Sequence, residues 1–187
     1  MRIEIVFAGI GGQGIRLMGD ILGKAIVERL NMYSSVITRY TPAVRGGPIH
    51  VEVVISDEPI DYIRVVDPSF IIMLHEKPYL EDQEVAEAVE EIMKSMRSLI
   101  ISDSRLAVKG PGVHVDLSGE AEKIGARINM VALGIAIALL KHKFKVPIEI
   151  EDVVRSMKAL GKYTENNVKG VKHGYELALH TVLKEFP

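Results

Sequence analysis

The chain contains no cysteine. That excludes disulfides, thiolate-held structural zinc, and any iron–sulfur cluster ligated by this polypeptide. A basic excess is also missing: Lys+Arg 23 stand against Asp+Glu 25, a formal net charge of -2. The counterion-displacing surface of a duplex binder is therefore not supplied overall, and no nucleic-acid partner is expected. Long hydrophobic runs are absent as well. The most apolar stretch, Ile128 to Leu140, contains Asn129 and falls short of the ~20 residues of a bilayer span, so it reads as a buried helix. At the N-terminus a single basic residue precedes an apolar run that breaks into glycine at Gly9. This is too short for a secretory signal core, and the expectation is a first strand in a cytoplasmic protein with no membrane association. There is no internal repeat, low-complexity tract or linker.

What is present is an ordinary globular composition, with 187 residues, 48% hydrophobic and 26% charged. That length supports one well-cored domain and is short for two, so residues 1–187 are expected to form a single domain. Ile3 to Ala8 is a β-branched run interrupted only by Glu4, the pattern of a central strand buried on both faces. From Ile15 to Leu30 the apolar residues recur at helical spacing, and Gly19 and Gly23 lie on one side where they permit close approach to a sheet. Ser35–Tyr40, Phe70–Leu74, Leu99–Ser102 and Val113–Leu117 read as further strands. Ile49–Ser56 and Tyr62–Val66 flank Asp57-Glu58-Pro59, which predicts a β-hairpin there. Helices are expected over Glu81–Met96, Ala126–His142, Ile150–Leu160 and Glu165–Phe186, the second of these the most buried. The alternation predicts an α/β fold: three-layer and Rossmann-like, with a mostly parallel sheet, a β-hairpin insertion and a helical C-terminal half.

Gly9-Ile10-Gly11-Gly12-Gln13-Gly14 is a G-x-G-x-x-G placed after a strand and before a helix. Glycines allow positive φ and close backbone approach, and the unpaired amides and dipole of a helix N-terminus attract anions. The loop is read either as a nucleotide or phosphate site or as a tight strand-to-helix turn with no ligand. A standard NAD site needs an acid about 20 residues further on to hold the ribose hydroxyls, and Asn31 to Thr41 contains no Asp or Glu. It does contain Arg39, so a free-standing reductase that binds NADP through its 2′-phosphate stays open, as does a structural oligomer with a vestigial glycine loop. A second feature is Arg45-Gly46-Gly47, a charged fork beside unhindered amides that suits a phosphate or carboxylate.

The two loops, with Tyr40-Thr41-Pro42 before Arg45 and Ile55-Ser56-Asp57-Glu58-Pro59-Ile60-Asp61-Tyr62 after it, resemble the gamma subunit of 2-oxoacid:ferredoxin oxidoreductases. That subunit corresponds to one domain of the single-chain enzymes. The resemblance continues in Asn129-Met130-Val131-Ala132-Leu133-Gly134 and in Asn167, Gly170, Gly174, Tyr175 and Glu176, so it spans nearly the whole chain. It lies closer to the 2-oxoglutarate-type than to the pyruvate-type branch. It implies a chain inactive alone, which works with alpha, beta and delta subunits to convert a 2-oxoacid and coenzyme A to acyl-CoA and CO2 while reducing ferredoxin. Thiamine diphosphate with Mg2+ and the [4Fe-4S] clusters would sit in the partner subunits, in keeping with the lack of cysteine and of a G-D-G magnesium motif. No catalytic or metal-binding residue is assigned to this chain. Gly9, Gly11, Gly12, Gln13, Gly14, Arg45, Gly46 and Gly47 are the expected coenzyme A contacts. His75 follows a strand that ends at the same crevice, and Asn129 is expected to be a buried hydrogen-bonding residue.

Overall fold

A computed structural model describes residues 1–40, 46–95, 99–107 and 112–185. Its elements are β1 (Arg2–Ile10), α1 (Ile15–Leu30), β2 (Tyr33–Tyr40), β3 (Pro48–Ser56), β4 (Phe70–Met73), α2 (Lys77–Glu81), α3 (Gln83–Ser95), β5 (Leu99–Asp103), β6 (Gly112–Val115), α4 (Leu117–Ile124), α5 (Ile128–His142), α6 (Ile150–Ala159), α7 (Glu165–His180) and α8 (Val182–Glu185). The strands form one sheet in the order β2-β3-β1-β4-β5-β6. β1, β4, β5 and β6 are parallel neighbours, and β3 runs antiparallel to both β1 and β2. β3 is thus the one reversed strand, and the mostly parallel α/β expectation is met.

The antiparallel pair is not where the turn chemistry placed it. β3 pairs with β2 rather than with Tyr62–Val66, and 57–69 contains no strand. The reason is a pair of acids on β1 and β3. The Glu4 carboxylate accepts from the amides of Val66 and of Asp67, the latter at 2.8 Å, while Glu52 accepts from the Val65 amide at 3.1 Å. Amides that a hairpin would have given to β3 carbonyls go to side chains, and the segment crosses the sheet face as a strap. Glu4, the one polar residue in the run Ile3–Ala8, is explained by this contact.

The layers follow from side-chain alternation. Ile3, Ile5 and Phe7 of β1 face the larger core, filled by α1 and α5, and Val6 and Ala8 face a smaller one closed by Val85 and Val89 of α3. α1 lies close to β2 and β3 at its glycines: a Cβ on Gly19 would come within 2.6 Å of Val51, and one on Gly23 within 2.5 Å of Val36. In α5 every residue from Asn129 to Leu140 is buried, as its all-round apolarity predicts. No single helix among the described residues is long and apolar enough to cross a membrane.

Candidate functional site

β1 ends at the centre of the sheet. α1 leaves its C-terminal end toward β2, whereas the chain after β4 proceeds toward β5, so strand order reverses between β1 and β4. In open α/β sheets such a crevice, outside the carboxyl ends of the strands, is where ligands bind. The glycine loop stands there. Gly12 (φ 97°) and Gly14 (φ 80°) are left-handed, a conformation that side-chain-bearing residues adopt at a cost, and Gly14 is the N-cap of α1 without any side-chain cap.

Hydrogen bonds to Gly47, Gln13 and Asn129 hold the loop. The Gly11 amide donates to the Gly47 carbonyl at 2.9 Å, joining the two glycine-rich segments. Gln13 Oε1 accepts from the Ile10 amide at 2.9 Å and Nε2 donates to the Leu74 carbonyl at 3.3 Å, so this side chain bridges the ends of β1 and β4 across the crevice. A Cβ on Gly9 would lie 2.5 Å from Gln13 Oε1, which accounts for that glycine. Asn129 Nδ2 donates to the Gly14 carbonyl at 3.2 Å, drawing the N-terminus of α5 against that of α1. Neither helix has an acid in its first turn, so two positive dipole ends meet uncompensated beside glycine backbone. The arrangement can hold an anion and, among the described residues, contains no group that does bond chemistry.

Gly9, Gly11, Gly12, Gln13, Gly14, Gly46 and Gly47 are therefore gathered at one place, with Asn129 added as the expected buried hydrogen-bonding residue, and Arg45 lies outside the described residues. His75 turns one ring nitrogen to its own chain: Nδ1 accepts from the Lys77 amide at 3.1 Å, at the start of α2. Arg39 is poorly placed to select a nucleotide phosphate. In dinucleotide folds the ribose-reading residue ends the strand beside β1. Here antiparallel β3 occupies that position, so β2 stands two strand spacings, about 10 Å, from β1, and the Arg39 guanidinium pairs with Glu84.

A second polar cluster was not legible from spacing along the chain. His50 and Glu52, alternate residues of β3, are 3% and 4% exposed. They face Asp82 and Glu84, at the start of α3, and Arg64 on the strap. His50 Nδ1 lies 2.9 Å from Asp82, and Arg64 forks onto Glu52 at 2.6 and 2.7 Å while reaching Glu84 at 3.0 Å. Nitrogen and oxygen atoms of His50, Glu52 and Glu84 come within 4.8 Å of one another, a spacing compatible with a metal ion. Arg64 already occupies the carboxylate oxygens such an ion would need, so the group is an ion-pair network beside a cavity of about 210 Å3. The usable signal was two polar residues at period two in an otherwise apolar strand.

Burial alone would push the Glu52 carboxyl up, but the hydrogen bonds from His50, Arg64 and the Val65 amide outweigh it and hold the group down from 4.5 to about 2. A folded value below the unfolded one gives stabilisation that is complete above about 4.3 and drains away as the pH falls toward 2. Glu52→Gln should therefore flatten the loss of stability between pH 4.5 and 2. At neutral pH it should cost about 2 kcal/mol, below the ~3–5 of a fully buried pair because Arg64 keeps Glu84. Urea midpoints measured across that pH range check both effects, and a variant whose acid dependence matched the parent would refute the assignment.

The fold and site define a class: a Rossmann-like α/β chain with a glycine turn at the strand-order reversal and no cysteine. Comparison with known proteins narrows it. The chain belongs to the pyruvate ferredoxin/flavodoxin oxidoreductase family, whose model matches residues 4–177. It is 31% identical to the 2-oxoglutarate synthase subunit KorC of Methanocaldococcus jannaschii, over 95% of each chain. Among solved structures it resembles the keto/oxoacid ferredoxin oxidoreductase gamma subunit of Geobacter sulfurreducens, with a TM-score of 0.69, 26% identity, and coverage of 96% of this chain and 98% of that one. The 2-oxoglutarate:ferredoxin oxidoreductase of Magnetococcus marinus, solved with 2-oxoglutarate, coenzyme A and succinyl-CoA bound, shares the fold at a TM-score of 0.70 and 17% identity; the match covers 96% of this chain and 31% of that one. The likeness to gamma subunits expected from the sequence is met.

Proposed function

We propose that this chain is the gamma subunit of a 2-oxoglutarate-type 2-oxoacid:ferredoxin oxidoreductase, acting with alpha, beta and delta subunits and ferredoxin, and that its glycine loops hold an anionic group of coenzyme A. The observation that supports the complex-subunit reading is the match over 95% of both chains to a 2-oxoglutarate synthase subunit. The ligand reading draws on two uncompensated helix N-termini and paired glycine loops at the strand-order reversal. Thiamine diphosphate and the iron–sulfur clusters supply the oxidative decarboxylation from partner subunits, since a chain without cysteine offers no thiolate for a cluster. This chain's share is to bind and orient: the backbone amides of Gly12, Gly14 and Ile15 and the Arg45 fork donate to phosphate oxygens, and Gln13, whose own amide donates to the Ile10 carbonyl at 3.1 Å, keeps the loop in its binding shape together with Asn129.

The test is reconstitution. The complex assembled with this chain should convert 2-oxoglutarate and CoA to succinyl-CoA with reduction of ferredoxin or a viologen dye, and omission of the chain should abolish that activity. Alone, the chain should be colourless and inert toward the dye. Titration with NADPH should leave its melting temperature unmoved, whereas a ligand at a hundredfold excess over its Kd would stabilise by about 2.7 kcal/mol. A shift of several degrees specific to NADPH would instead favour the reductase and implicate Arg39.

A further inference from the structure

The strap over 57–69 is built the opposite way from an ordinary surface loop. Its backbone is satisfied from beneath. Besides the bonds to Glu4 and Glu52, Arg2 Nη2 donates to the carbonyls of Tyr62 and Arg64, both at 2.9 Å, and Ser35 Oγ donates to the Ile63 carbonyl at 2.9 Å. With the main chain pinned inward, the apolar side chains are left outside: Tyr62, Ile63 and Val66 are 57%, 53% and 64% exposed. Met1, Val27 and Tyr33 extend the same patch. These six are most of the ten large hydrophobic residues exposed among the described residues, so the exposure is concentrated. Tyr62 and Ile63 form a ridge between two grooves, one of about 530 Å3 that includes Val27, Tyr33 and Ile63, the other of about 450 Å3 that includes Met1, Tyr62 and Val66.

The rim has one sign. Glu58, Asp61 and Asp67 are exposed, and the nearby cations are already engaged: Arg2 by Glu4, Arg64 by Glu52, and the N-terminal amine by Asp57. An apolar centre ringed by carboxylates fits a surface that is apolar at its centre and ringed by Lys and Arg. The ordering that a loop normally undergoes on binding is already complete here, which favours a tight, specific contact. The relatives indicate the occupant. The fold is a chain by itself in the Geobacter gamma subunit, and the match to a 2-oxoglutarate synthase subunit of Methanocaldococcus covers 95% of both chains, so the occupant inferred is another chain of such an assembly.

From these observations we infer that the strap patch is the docking face for another subunit of the same oxidoreductase complex, one presenting apolar side chains within a basic rim. The inference rests on the complex-subunit reading above. In register, the patch lies at the end of the sheet opposite the glycine loops, since Arg2 and Tyr33 both pair with Ser56 while Gly9 pairs with Ile49. Docking there leaves the anion site open.

The experiment co-expresses the full chain with a tagged partner subunit and the remaining subunits, and follows co-elution on a sizing column and dissociation on dilution. Ile63→Glu combined with Val66→Glu should loosen assembly at least tenfold while the isolated variant keeps the parent's melting temperature, because both side chains are exposed. Glu58→Lys with Asp61→Lys should slow association and remove its salt dependence. Leu80→Glu, a 69% exposed residue on α2 outside the patch, should assemble like the parent. Unchanged assembly of the Ile63/Val66 variant overturns the inference. So does a concentration-dependent dimer of the chain alone that this variant abolishes, since a second copy would then be the occupant. If the parent chain itself joins no partner subunit, the complex-subunit reading fails and the docking face falls with it.

Discussion

Gly174→Ala is expected to destabilise the protein by about 4 kcal/mol, or to leave no soluble product, although alanine is intrinsically the better helix residue by about 1 kcal/mol. The sign is set by packing. α5 and α7 touch backbone to backbone: a Cβ on Gly174 would stand 1.9 Å from the Val131 carbonyl oxygen, and one on Gly134 would stand 2.1 Å from that of Val171. Carbonyl oxygens cannot rotate away as a side chain can, so relief requires the helices to separate and opens a void in the most buried layer of the molecule. His142 Nε2, 2.6 Å from the Tyr175 hydroxyl, would be pulled from its partner by the same movement. Gly134→Ala should be comparably severe. Gly170→Ala, whose Cβ would meet the Met130 Cβ at 2.8 Å, should cost only about 1–2 kcal/mol. Denaturant midpoints of the three variants settle the ranking, and a Gly174→Ala protein as stable as its parent would mean that the helices are not held at this separation.

Arg45→Ala in the assembled complex should raise the apparent KM for coenzyme A by roughly tenfold to a hundredfold. That is the loss of one charge-assisted hydrogen bond, ~1.5–3 kcal/mol. Decarboxylation in the absence of CoA should be spared, because the function proposed above gives that step to partner subunits. Arg45→Lys should rescue only in part, since an ammonium cannot reproduce a bidentate fork. Arg45 lies outside the described residues, but Gly46 and Gly47 follow it directly, and the Gly47 carbonyl receives the Gly11 amide at 2.9 Å. A variant with unaltered CoA kinetics whose complex dissociates on a sizing column would make Arg45 an interface anchor and end its assignment as a ligand contact.

Local chemistry decided much of this protein without reference to its fold. The run Ile3–Ala8 read as a buried strand, and the glycines that follow as a turn into a helix, with or without an anion bound. Gly19 and Gly23 on one side of α1 implied the close sheet contact that Val36 and Val51 make. The absence of cysteine alone placed any iron–sulfur cluster in another chain. These conclusions rest on the period of a strand or helix, on the steric freedom of glycine and on ligand chemistry, all of which act within a few residues. Tertiary structure decided the rest. Whether Asp57-Glu58-Pro59 closed a hairpin depended on Glu4 and Glu52, distant in sequence, capturing the amides of Val65, Val66 and Asp67. Whether Arg39 could select a nucleotide depended on β3 inserting between β2 and β1. His50 gained its meaning only when α3 brought Asp82 and Glu84 beside it. In each case a carboxylate or a strand from elsewhere competed for a group whose local partner was equally good, and hydrogen-bond satisfaction across the whole fold chose between them.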